Sequence, residues 1–327
     1  MRFRTLGARG PQVSAIGLGC LSFGGIFGDT NRDESLACLD AAWEHGITFL
    51  DVANIYGAGV SEEVIGDWLR RRPHRPTLAT KASIISGPER RIDNSRHHLR
   101  SELEGSLRRL GVDHVDLFYM HRHEHTRPIE EVAETMAELV AEGKIGGYGL
   151  SEIAPYTLRR AHAVHPVMAV QNEYSLWSRQ PELGLIQTCA ELGVAFVPFS
   201  PLARGALGDP MLDPDLHDLG AFRSLIPRFS AENWPHNRAR LLAYRALAAE
   251  IGHNPAALAI AWCLHRGPHL IPIPGTRTAD HLAAWAGASE ISLSAQDMAA
   301  IEAVLPVGWA FGDRYDDDMA SSVERFC

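Results

Sequence analysis

The five cysteines, Cys20, Cys38, Cys189, Cys263 and Cys327, form no CxxC pair. That argues against a zinc knuckle and a disulfide framework, and free thiols point to a reducing, cytoplasmic setting. Long apolar runs are missing: none approaches the roughly 20 residues that span a bilayer. The opening MRFRTLGARGPQVS has no signal-peptide core. Positive charge is scarce as well, with 31 Lys and Arg against 40 Asp and Glu and a net charge of −9. Nucleic acid and anionic membranes are therefore poor partners, although one local basic pocket could still hold an anionic cofactor. No GxGxxG follows a strand. GAGVS (57–61) and SFGGIFG (22–28) read as loop turns, so a Rossmann site is not expected. No linker, repeat or low-complexity tract divides the chain, and residues 1–327 read as one domain, monomeric or homo-oligomeric.

What is present is alternation. Short apolar runs at AIGLG (15–19), ITFLD (47–51), TLAT (77–80), VDLFYM (115–120), GGYGL (146–150), VMAVQ (167–171), VAFVPFS (194–200) and LIPIPG (270–275) fit strands buried on both faces. Between them lie amphipathic stretches such as DESLACLDAAWEHG, SEEVIGDWLRRR, NSRHHLRSELEGSLRRLG, PIEEVAETMAELVAEGK and PELGLIQTCAELG. Thr30, Asn31 and Ser61 are candidate caps, and glycines supply the stops. Eight strands alternating with helices predict an α/β fold, a (β/α)8 TIM barrel. The N-terminal FRTL and QVS predict a hairpin plugging its bottom. Residues 206–235 read as a lid loop, solvated because of Asp209, Asp213, Asp215, Asp218, Arg223 and Arg228, and 306–327 as a C-terminal loop.

Chemistry in such a barrel sits at the C-terminal strand ends. Those ends carry Asp51, Lys81, His121, Ser151 with Glu152, Gln171, Phe199 with Ser200, and Gly275, while Tyr56 lies on the loop after Asp51. A tyrosine titrates near ~10 and needs a cation to act as a proton donor near neutrality. Lys81 could supply that cation, Asp51 could keep it charged, and His121 could polarise a carbonyl. Taken singly, Asp51 reads as a cap, Tyr56 as loop packing and His121 as a structural histidine. Lys81 directly after a buried strand is costly without a partner. Together they read as an acid–base cluster.

The stretches DVANIYGAGVSEEVIGDWL, GVDHVDLFYMHR, AELVAEGKIGGYGLSE and VAFVPFSPLARG resemble the signature of the aldo-keto reductases, a pattern running from Gly17 to about Ala288. QNEYSLWSRQPE and GDRY (312–315) are similar to its bacterial and fungal aldehyde or pyridoxal reductase-like branch. The resemblance implies an NADP-dependent carbonyl reductase without a metal, Tyr56 being the acid, Lys81 lowering its pKa, Asp51 pairing with Lys81 and His121 orienting the carbonyl. It implies cofactor contacts from Gly19, Cys20, Leu21 and Asp51, from Ser151, Glu152 and Gln171 at the nicotinamide, and from Phe199 stacked on its ring. Ser200, Pro201, Leu202, Ala203, Arg204 and Gly205 would form a belt under the pyrophosphate, and Gly275, Thr276, Arg277 and His281 would meet the adenosine and its 2′-phosphate. Glu152 stands where Asn is usual, Ala203 where Gly is, and RTADHLAAW departs from the usual adenosine site, His281 replacing an Arg and Ala284 with Trp285 replacing Glu-Asn. NADPH is expected, with NADH the fallback.

The substrate would be a small carbonyl compound. Its pocket is expected to draw on Phe23, Ile26, Phe27, Ile84, Ile85 and Trp177. Two other readings compete. HRHEH (121–125) could be metal ligands of a barrel hydrolase, but no matching cluster ends the other strands apart from Asp51, and Lys81 would repel a metal. A cofactor-binding regulatory subunit is disfavoured because all four catalytic residue types are kept.

Overall fold

The computed structural model describes residues 1–87 and 91–326, so Cys327 lies outside the described residues. A short hairpin, β1 (Phe3–Thr5) and β2 (Gln12–Ser14), comes first. Seven parallel strands follow in one curled sheet, ordered as in the chain: β3 (Leu18–Gly19), β4 (Phe49–Asp51), β5 (Thr77–Ala82), β8 (Val115–Met120), β9 (Ile145–Ser151), β10 (Ala169–Gln171) and β11 (Ala195–Phe196). A small excursion after β5 pairs β6 (Ile84–Ile85) with β7 (Arg91–Ile92).

Residues 270–275 occupy the eighth position and close the barrel, but through isolated bridges to Phe196, Phe199 and Gly19 rather than a regular strand. The reason is the alternation Ile-Pro-Ile-Pro-Gly. Ile271 and Ile273 donate their N–H groups to Phe196 and Pro198, while the carbonyls of Pro272 and Pro274 accept from Gly17 and Gly19. Each proline thus sits where its missing N–H would have faced β3. The fold is a (β/α)8 barrel.

Helices wrap the outside: α1 (Arg32–Glu44), α2 (Val60–Arg71), α3 (Arg96–Leu110), α4 (Ile129–Ala141), α5 (Pro155–Val164) and α6 (Leu185–Leu192). Asn31 caps α1 by accepting from the Glu34 N–H, as its position before an apolar-periodic stretch predicts. Ser61 is not the cap of α2. That helix starts a residue earlier from the left-handed Gly59, and Ser61 is buried in its first turn. After β11 come α7 (Gly220–Ser224), α8 (Trp234–Ile251) and α9 (Pro255–His265), and after the eighth position α10 (Ala279–Ala283), α11 (Ala295–Val304) and α12 (Asp317–Ala320). None of the described helices is long and apolar enough to cross a membrane.

The barrel interior has two ends of opposite character. Leu6 and Val13 from the hairpin region join Phe49, Ala79, Leu117, Tyr119, Ala169, Ala195, Val197, Ile271 and Ile273 in one apolar cluster. Residues two apart on a strand share a face. Asp51, Lys81, His121 and Gln171 follow Phe49, Ala79, Tyr119 and Ala169 by that step, so the strands that fill the core carry polar groups at its upper rim. Gly149 on β9 makes room for Tyr119, since a Cβ there would stand 2.4 Å from the Tyr119 ring.

The segment 206–235 is solvated only in part: Asp215 and Asp218 are exposed, but other charges of the segment are packed. Asp213 is buried and accepts from Trp234 Nε1 at 3.0 Å and Arg238 Nε at 2.7 Å. Arg228 is buried too, donating to the carbonyls of Trp177 and Gly312. Ion pairing and capping of backbone carbonyls explain why charge-rich sequence packs here. The chain after Val304 is likewise anchored. Glu324 accepts from the Ala154 N–H at 2.8 Å and lies 2.7 Å from Nδ1 of His123.

Candidate active site

A cavity of about 750 Å³ opens at the C-terminal end of the barrel. Asp51, Tyr56, His121, Ser151, Gln171 and Phe199 line its floor, and Lys81 lies just beneath, with no exposed surface. Lys81 Nζ donates to Asp51 Oδ1, to the Val52 carbonyl at 2.9 Å and toward Tyr56 Oη at 3.5 Å. Gln171 Nε2 donates to the other Asp51 oxygen at 2.8 Å. His121 stands edge-on to the Tyr56 ring, with centroids 5.9 Å apart.

The electrostatics follow from this packing. Burial alone would lower the Lys81 pKa, but Asp51 and Tyr56 outweigh it and raise it, so the ammonium persists. Burial raises the Asp51 carboxyl against the pull of Lys81 and Gln171. At Tyr56 burial is again the largest influence. It raises the phenol above its ordinary value, while Lys81 and Arg122 pull it down. The expected lowering by Lys81 is therefore present but outweighed in this state.

A second arm of the cavity is basic. Arg204, Arg223, Arg277 and His281 line it together with Gly275 and Thr276. Arg204 donates to Glu173 at 2.7 Å, while its buried Nη1 has no partner among the described residues. Arg223 donates to the Arg204 carbonyl at 2.9 Å and lies over Phe27, 4.3 Å from the ring centroid. Arg277 donates to the Asp29 carbonyl at 2.9 Å. An unpartnered buried guanidinium nitrogen amid further cations fits an anionic group such as a dinucleotide pyrophosphate.

Of the expected cofactor contacts, Gly19, Leu21, Asp51, Ser151, Gln171, Phe199, Ser200, Pro201, Leu202, Arg204, Gly205, Gly275, Thr276, Arg277 and His281 line the cavity; Cys20, Glu152 and Ala203 do not. Cys20 points to the opposite face from Gly19 and is buried in the core. Glu152 has a left-handed backbone, φ 56°, and its carboxylate turns away to the Glu173 N–H and to Arg314. Ala203 is folded into a tight turn, φ 51°, and buried. Ala284 and Trp285 both reach the lining, Trp285 with only 2% of its surface exposed.

Among the expected substrate-pocket residues, Ile84, Ile26 and Phe27 line the cavity, whereas Phe23, Ile85 and Trp177 do not. Phe23 is turned into the core. Trp177 is sandwiched by Trp309 and Phe229, at 5.5 and 5.6 Å between centroids, beneath the C-terminal chain. The run HRHEH divides: His121 faces the cavity, while both ring nitrogens of His123 are engaged, by Glu324 and by the Arg127 carbonyl. His123, His125 and Glu324 bring one potential ligand atom each within 4.8 Å of one another.

Several lining residues were not anticipated: Arg122, Arg223, Tyr315, Met319 and Ser322. Arg122 sat in the histidine run, where only the histidines drew attention. Arg223 was hidden in a segment read as solvated. Tyr315 belongs to GDRY, which carried resemblance but no assigned contact.

A sequence model described as the Aldo/keto reductase family matches residues 15–306. A probable aldo-keto reductase from Glycine max is 38% identical over 314 residues, covering 95% of this chain and 90% of that protein. A glycerol dehydrogenase from Gluconobacter oxydans superposes with a TM-score of 0.85 at 26% identity, covering 96% of this chain and 97% of its own. The holo form of an aldo-keto reductase from Bacillus halodurans gives 0.78 at 26% identity, over 97% and 99%. With a matching family model over most of its length and a relative of this likeness, the chain belongs to the aldo/keto reductase family.

Proposed function

We propose that this protein reduces an aldehyde or ketone to an alcohol, with NADPH as hydride source and Tyr56 as the proton donor. Family membership carries nicotinamide-dependent carbonyl reduction in general. The observation that supports the finer reading is the meeting of Tyr56, Lys81, Asp51 and His121 at one cavity floor.

When bound, the reduced nicotinamide supplies a hydride to the carbonyl carbon. The chain's own groups handle the oxygen. Tyr56 and His121 offer hydrogen bonds to it, and the phenolic proton passes to the oxygen as negative charge develops there. The electron pair left on Tyr56 Oη is stabilised by the Lys81 ammonium, which Asp51 holds in place. The alcohol leaves, and solvent restores the phenolic proton. Burial keeps Tyr56 protonated at rest, which suits a proton donor.

Ser151 and Gln171 would hold the nicotinamide amide and Phe199 its ring. Ser200, Pro201, Leu202, Arg204 and Gly205 would follow the pyrophosphate, and Gly275, Thr276, Arg277 and His281 the adenosine end. Tyr56→Phe should lower kcat with simple aldehydes on the order of a thousand-fold or more, since the proton donor is lost, while NADPH binding measured by fluorescence titration stays intact. Near-normal turnover in that variant would overturn the mechanism.

A further inference from the structure

We propose that Arg122 is a substrate-binding cation, and that the carbonyl compounds best taken by this cavity carry a carboxylate. The inference rests on the cavity being a carbonyl-reducing site. Arg122 directly follows His121 and β8, with 8% of its surface exposed, and lines the same cavity as Tyr56, His121, Ile84 and Ser151. Its Nη1 donates to the His121 carbonyl at 2.6 Å and to Ser151 Oγ at 3.2 Å. Both acceptors are uncharged, and the buried Nε has no partner among the described residues.

Among the described residues one other buried arginine, Arg228, also forms no ion pair, but it lies outside this cavity with its Nε and Nη1 already on the carbonyls of Gly312 and Trp177. Three further arginines are matched by carboxylates. Arg204 meets Glu173 at 2.7 Å, Arg314 meets Glu152, and Arg179 meets Glu302 at 3.0 Å. Among the described residues Arg122 forms no ion pair. The one carboxylate on the cavity floor, Asp51, is already committed to Lys81 and Gln171. A guanidinium stays protonated, so its burial without a counter-charge is unfavourable until an anion arrives. That anion gains more than it would in water, because the contact is charge-assisted and shielded.

The position of Arg122 decides which anion. Arg122 is tied to Ser151 on the cavity floor, whereas Arg223 lies within electrostatic reach of Arg204 and Arg277, the group that suits the phosphates. The anion at Arg122 therefore belongs to the carbonyl substrate. Ile84, Ile55 and Ile26 offer an apolar wall for the skeleton between carbonyl and carboxylate. The charge of Arg122 also reaches Tyr56, where it opposes the effect of burial.

The test uses the intact chain with NADPH and three aldehydes, benzaldehyde and its 3- and 4-carboxylated forms. The readout is the ratio of kcat/KM for a carboxylated aldehyde to that for benzaldehyde, so intrinsic reactivity cancels between variants. Arg122→Met should lower this ratio on the order of ten-fold or more, mainly through KM, and Arg122→Lys should retain much of it. Equal losses on charged and uncharged aldehydes, or an unchanged ratio, would overturn the proposal and leave Arg122 only a support for Ser151. A measurement on the unaltered protein covers the case in which the variants do not fold. With NADP+ present, calorimetry should show benzoate binding at least ten-fold more tightly than benzamide, a neutral molecule of the same shape. Equal binding would defeat the inference. Carboxylate-selective binding with no turnover of any aldehyde would defeat the reductase reading alone.

Discussion

At Tyr56, burial and neighbouring charge pull in opposite directions. Burial is the stronger in this state, so the phenol holds its proton, and in the proposed reaction Lys81 acts once charge develops on the oxygen. The geometry is economical because Lys81 needs no exposure: it reaches Tyr56 Oη from below, with Asp51 on its far side. The arm proposed for the adenosine rests on fewer cations. Arg277 and His281 stand there, and among the described residues Arg277 donates to the exposed Asp29 carbonyl alone, from which it can turn toward a ligand. If it meets the 2′-phosphate, Arg277→Ala should weaken NADPH on the order of ten-fold or more, the scale of one charge-assisted hydrogen bond, and NADH much less. Dissociation constants for both cofactors measure this, and equal losses would place the 2′-phosphate elsewhere.

Loops far apart in the chain are drawn over the cavity by a buried carboxylate. Glu173, just after β10, accepts from Arg204 at 2.7 Å and Ser178 at 2.7 Å and faces Arg314 at 3.6 Å. Burial alone would raise its pKa, but Arg204, Arg314 and Arg228 hold it at about 2. A carboxyl depressed in the folded state stabilises the fold above its unfolded pKa, and that contribution is lost as pH falls toward the folded value. Glu173→Gln should therefore cost on the order of 3 kcal/mol at neutral pH, with the difference from the parent shrinking as pH drops from roughly 4.5 toward 2. Urea denaturation across that range measures it, and a pH-independent difference would contradict the ion-pair account. This hub was not legible in the sequence. QNEYSLWSRQPE carried a family likeness, but Arg204 and Arg314 lie on separate loops, and nothing local pairs them with Glu173. Glu152 was equally opaque, because its left-handed backbone, which turns it from the cavity toward Arg314, is a property of the folded loop. Asp51, Lys81 and His121 were readable because strand parity and strand ends are local features.

On the scale of the whole molecule, the barrel separates stability from chemistry by placing them at opposite ends. The alternation of apolar runs and amphipathic stretches was enough to read the barrel, and the two prolines of LIPIPG explain why its last strand is bridged rather than laddered. The lower end is sealed by the hairpin region. Arg4 reaches the carbonyls of Leu264, Leu270 and Gly267, and Ala8 donates to the Gly193 carbonyl at 2.7 Å. Gly7 must be glycine for this closure, having φ 72° and a Cβ position only 2.4 Å from the Met168 carbonyl oxygen. Leu6 is thereby driven into the barrel cluster with Val13, fully buried. Truncating it leaves a void that the surrounding strands cannot fill without distorting their ladders. Leu6→Ala should thus lower stability by roughly 2–5 kcal/mol, seen as a lower urea midpoint with an unchanged slope. Because the cavity opens at the other end, kcat/KM below the unfolding transition should stay within about two-fold of the parent. A parallel collapse of kcat/KM in the folded variant would show that packing at the plug sets the geometry of Asp51 and Lys81, and that the two ends are not independent.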